Sequence, residues 1–125
     1  MSAIVFLAVV VVGAVGALLR YGLSQALARY AWFPWAVLVV NVVGAAIGGV
    51  FLALLHHAGL ADEWYTIAVT GFAGGLTTFS TWSVQTILLV MTGHWRTAAV
   101  SVGLNLVAGF AAVAAAYGIV TAAVG

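Results

Sequence analysis

The chain has 125 residues, 66% of them hydrophobic and 4% charged. Soluble domains carry roughly 25% charged residues, so water cannot be the solvent for this surface and a lipid bilayer fits. A net charge of +1 excludes a basic face for nucleic acid, and the lack of cysteine excludes disulfides, iron–sulfur clusters and thiol chemistry.

Taken in order, the chain reads as four apolar runs over 3–26, 35–55, 65–91 and 97–123. Each reaches the ~20 residues that a helix needs to cross the hydrocarbon layer. Backbone groups must be satisfied internally in lipid, and no period-2 alternation suggests a strand barrel, so the spans are expected to be helices. The opening "MSAIVFLAVVVVGAVGALL" lacks a positive leading region. It also exceeds the roughly 7–15 apolar residues of a signal core, so it reads as a retained span. One four-helix domain over 1–125 is the expectation, with antiparallel neighbours joined by short links.

The first span carries Gly13 and Gly16 and has Arg20 near its end. The link "RYAWFP" follows, then the second span, where Asn41, Gly44 and Gly48 share one helix face. An amide on a face where another helix can come close is either interhelical glue or a donor facing a pathway. The link "HHAGLADEW" holds His56, His57, Asp62 and Glu63. The histidines lack a matching ligand set along the sequence, and the acids read as solvated. Trp32, Trp35, Trp64, Tyr65 and Trp95 fall at span ends, as an interfacial aromatic belt would.

The third span contains "TGFAGGLTTFSTWS". Gly71, Gly74 and Gly75 fall within five residues, and five of the seven residues from Thr77 to Ser83 carry hydroxyls. Glycine costs roughly 1 kcal/mol of helix stability relative to alanine. The run is therefore expected to break the helix in mid-membrane and free carbonyls that could hold a cation. A glycine-rich packing kink is the plainer alternative. Beyond the break, Phe79, Trp82, Ser83 and Thr86 lie on one face, beside Thr78, Thr81 and Gln85. Ring edges and hydroxyl or amide hydrogens carry partial positive charge, so together they suit a small anion without any fixed charge. The fourth span adds Ser101, Asn105 and Gly109 at successive i+4 spacing.

No Asp, Glu, Lys or His lies within the spans, which leaves little for proton relays, metal catalysis or hydrolysis. A proton-coupled multidrug or cation exporter of similar size would need an intramembrane carboxylate, so that rival is disfavoured. A non-conducting membrane assembly subunit stays open. Orientation rests on Arg20, Arg29 and Arg96, and both a bias to one orientation and insertion both ways round are open. No internal repeat is evident, and a homodimer is the first expectation.

"GFAGGLTTFSTWS" resembles the third-helix signature of the Fluc (CrcB-type) fluoride channels. "GAVGALLRY" and "VNVVGAAIGG" resemble their first- and second-helix motifs, so the likeness covers the whole chain. The resemblance implies a passive fluoride channel, not an enzyme, in the inner or plasma membrane, relieving the cell of toxic fluoride. It implies an antiparallel dual-topology homodimer with two pores and a central structural sodium ion held by the carbonyls of Gly74 and Thr77. By motif position the fluoride path falls on Asn41, Phe79, Trp82, Ser80, Thr81 and Asn105. By charge, Arg20 and Arg29 either draw anions to a vestibule or serve only as anchors. Trp82 stands where the family's second pore phenylalanine is usual. Asn105 stands where a fourth-helix serine is usual.

Overall fold

A computed structural model describes residues 2–125, and all its regular elements are helical. Helix α1 (Ala3–Ala26) starts at Ser2, whose Oγ accepts a hydrogen bond from the Val5 N–H at 3.2 Å. This is the usual way to satisfy one orphan N–H of a first turn. A 3₁₀ turn (Ala28–Tyr30) leads to Phe33 and Pro34, where α2 (Trp35–His57) begins. The ring of Phe33 is buried against Trp35, with centroids 4.6 Å apart, and anchors this corner.

After the 58–61 link, helix α3 (Asp62–Tyr65) opens with both acidic residues in its first turn, where they favour the helix dipole. Asp62 and Glu63 thus start a helix instead of lying in a loop. The chain continues as a π-helix (Thr66–Ala73) and one α turn, α4 (Gly74–Leu76). It then breaks at 77–79 and resumes as α5 (Ser80–Met91). Gly93, at φ +84°, lets the His94 N–H reach the Leu89 carbonyl at 2.7 Å, a Schellman closure, before α6 (Trp95–Val124).

Three helices, α1, α2 and α6, are long and apolar enough to cross a membrane. The 12 residues of α5 span about 18 Å, too short alone, so it needs the 62–76 arm in line with it. Large apolar side chains such as Ile4, Leu18, Phe110 and Ile119 are exposed on the isolated chain, as a lipid-facing surface requires. The chain is a multi-pass membrane protein.

Packing departs from the simplest reading of the short links. Helix α2 lies chiefly on α6, and α1 lies chiefly across the 62–76 arm, with few contacts to α2. Glycines decide this. A Cβ on Gly75 would run into the Gly13 carbonyl, and one on Gly16 would lie 2.6 Å from the Phe72 carbonyl oxygen. A Cβ on Gly71 would lie 2.6 Å from Val12 Cγ2. The two segments therefore approach backbone to backbone. Gly49 does the same for α2 on α6, where a Cβ would lie 2.6 Å from the Val113 carbonyl oxygen.

This relocates the break. All three glycines of "GFAGG" are helical, and the backbone leaves the helix only at Thr77, with ψ 160°. Close packing on α1 offsets the cost at Gly71 and Gly75, whereas Gly74 is exposed, and none of the three unwinds the chain at that point.

Candidate functional site

The break is held by one side chain from another helix. Asn41 of α2 accepts the Thr78 N–H on its Oδ1 at 2.9 Å and donates through Nδ2 to the Thr78 carbonyl at 3.1 Å. Its amide thus pairs with the Thr78 backbone as a neighbouring peptide would. That pairing replaces the helical bond that Thr78 would otherwise make to Gly74. The remaining Nδ2 hydrogen goes to Asn105 Oδ1 on α6 at 3.1 Å. Asn105 is fixed in turn by donating to the Ser101 carbonyl, one turn earlier, at 2.8 Å. A chain of amides from α6 through α2 to the break results.

The hydroxyls of the break divide into structural and free. Thr78 Oγ1 accepts the Thr81 N–H at 3.1 Å and so caps α5. Thr77, Ser83 and Thr86 donate back to the carbonyls of Ala73, Phe79 and Trp82 at 2.7–2.9 Å. Such back-bonding is the common fate of Ser and Thr in membrane helices. Among the described residues, Thr81 makes no side-chain hydrogen bond, and Ser80 has only a long 3.5 Å contact to Thr78 Oγ1. These two hydroxyls are available to a ligand.

A groove of about 450 Å³ opens beside the break. Asn41, Gly74, Thr77, Phe79, Trp82 and Asn105 all line it, with Thr78 and Gly44. The Phe79 and Trp82 rings meet edge to face, 5.7 Å apart and at 66°. Phe79 is 75% exposed on the isolated chain. Gly74 is also exposed. The carbonyls of Gly74 and Thr77 receive no backbone hydrogen bond across the break. Their oxygens meet the chemical demand of a hard cation.

The remaining sequence candidates fall elsewhere. Arg20 does not line the groove, and its Nε is buried without a partner. The Arg29 and Arg96 guanidinium groups lie over the rings of Tyr30 and Trp95, 5.2 and 5.4 Å from the centroids. That is an interfacial anchoring arrangement. Gly44 packs on the Thr77 side chain, whereas a Cβ on Gly48 or Gly109 would meet nothing. Two residues gain weight that spacing alone did not give them. Thr78 ties the break to Asn41 and caps α5, and Ser101 is fully buried with an unpartnered hydroxyl. The run of Thr77 and Thr78 after the glycines was the available signal for the first.

The family comparison follows the same geometry. Residues 7–118 match the model described as "CrcB-like protein, Camphor Resistance (CrcB)". The chain belongs to the CrcB-like family. Its CrcB-type relatives include a protein named fluoride-specific ion channel FluC from Saccharophagus degradans, 42% identical over 117 residues, covering 92% of this chain and 88% of that one. The protein of the same name from Renibacterium salmoninarum is 43% identical over 108 residues, 80% and 86% of the two chains. That from Pectobacterium carotovorum is 37% identical, with 92% of each chain covered.

Proposed function

We propose that this chain is a passive, fluoride-selective ion channel that exports fluoride across the cell membrane, and not an enzyme. Membership of the CrcB-like family, with relatives named as fluoride channels over nearly the whole chain, carries the reading. The groove supplies a means. Fluoride would shed water in the groove against the edges of Phe79 and Trp82 and the second amide hydrogen of Asn105, with the hydroxyls of Ser80 and Thr81 next along α5, outside the groove lining. Both Asn41 hydrogens are already engaged. The anion would therefore reach Asn41 by replacing Asn105 Oδ1 as acceptor, a swap of one hydrogen bond for another. Several weak sites in series allow exit as well as entry.

The working unit in this reading is an antiparallel dual-topology homodimer of four-span chains, with two pores. The exposure of Phe79 and Gly74 supports it, since a second copy would cover both. A structural sodium ion would sit between the copies, held by the Gly74 and Thr77 carbonyls. It would hold the two breaks together and would not itself be conducted. Arg20 would raise the anion concentration at the entrance.

Fluoride efflux from liposomes loaded with the purified protein tests the reading. Fast fluoride release with little chloride release is expected. Well-folded protein that releases neither ion would overturn it.

A further inference from the structure

The geometry points to a transition-metal site, separate from the groove, at the opposite end of α2. His56 Nδ1 lies 3.2 Å and His57 Nε2 lies 3.0 Å from the same Tyr117 hydroxyl oxygen. The two rings stand at 78° and 67° to the phenol ring, so both approach its oxygen from the side and not by stacking. A phenol has one proton. One imidazole must therefore accept it while the other donates its own N–H to the same oxygen. Three donor atoms are thus gathered at one point on the protein surface.

A divalent ion can take the place of the shared protons. Each neutral imidazole offers one lone pair and can carry it on either nitrogen. Metal–nitrogen distances near 2.0 Å in a tetrahedral site put neighbouring donors about 3.3 Å apart. The two nitrogen–oxygen separations, 3.2 and 3.0 Å, are within a few tenths of an ångström of that. Both histidines are exposed, so water can complete the shell and the ion has an open route. Two imidazoles and one phenol oxygen suit copper(II) or zinc(II) and not sodium or magnesium. On coordination the tyrosine proton leaves to solvent and the oxygen binds as phenolate.

The ion would clip the last turn of α2 to α6. These helices already interlock at Gly49 against Val113 and Tyr117, and they carry Asn41 and Asn105. The site does not depend on the channel reading.

The test titrates copper(II) and zinc(II) salts into the detergent-solubilised full chain carrying no added histidine tag. One ion per chain is expected, with two nitrogen ligands in the copper(II) paramagnetic resonance spectrum and a visible phenolate charge-transfer band. His56→Asn with His57→Asn should weaken binding by an order of magnitude or more. Tyr117→Phe should remove the band, and His94→Ala should change nothing. Failure to bind, or equal binding by the double histidine variant, would overturn the site.

Discussion

Asn41 acts as a peptide substitute, and this sets what its replacement does. Asn41→Ala removes three hydrogen bonds and leaves the Thr78 N–H and carbonyl without partners. The expected loss is about 1–3 kcal/mol of stability, read by unfolding in detergent, together with loss of fluoride efflux. Asn41→Asp keeps an acceptor for the Thr78 N–H. Its carboxylate, however, faces the Thr78 carbonyl and Asn105 Oδ1 where an amide donated to both. Efflux at neutral pH should fall to background, and normal efflux in both variants would remove Asn41 from the path. Trp82 makes the opposite case. Its indole N–H is buried without an acceptor, a standing cost that phenylalanine lacks. Trp82→Phe should keep or raise stability by about 1 kcal/mol and keep selective efflux. Loss of efflux would instead make the N–H part of the path.

Helix by helix, the glycines separate into those that pack and those that do not. Gly75→Ala drives a methyl into the backbone of Gly13, and neither segment can yield without moving the other. A loss of roughly 2–3 kcal/mol is expected, within the range for overpacked sites. Gly48→Ala meets nothing within the chain and should stabilise α2 by up to about 1 kcal/mol. Unfolding midpoints of the two variants in the same detergent decide the matter, and equal effects would refute the packing account. The contrast also marks what the sequence could reveal. Helix α1 runs beyond the wholly apolar stretch that ends at Leu19, through Arg20, Ser24 and Gln25 to Ala26. Helices α2 and α6 overrun the expected spans by a few residues, since His56, His57, Trp95 and Arg96 stay helical at the water interface. Periodicity had no means to place the break after the glycines. Its position depends on Asn41, 37 residues earlier, and on a partner backbone of α1. The His56, His57 and Tyr117 cluster was hidden for the same reason, its third donor lying 60 residues away.

For the molecule as a whole, the groove is open and the Phe79 ring uncovered, and in the proposed dimer a second copy would cover both. If sodium completes it, the ligands are main-chain oxygens, and side-chain substitution cannot delete them. The Thr77 hydroxyl already donates to the Ala73 carbonyl at 2.8 Å, while its methyl group packs on Gly44. Thr77→Val keeps that methyl and the carbonyl and loses only the internal hydrogen bond. If the carbonyls are the ligands, its dimers should show the same sodium dependence as those proposed for the unaltered chain. Replacing sodium by a bulky organic cation throughout purification should lower efflux and dimer cross-linking together in both proteins, and returning sodium should restore both. Loss of sodium dependence in Thr77→Val alone would move the ligand from the carbonyl to the hydroxyl. Full efflux without sodium in either protein would leave the freed carbonyls with no cation to hold, and the proposed dimer would then have to rest on Phe79 and the apolar faces alone.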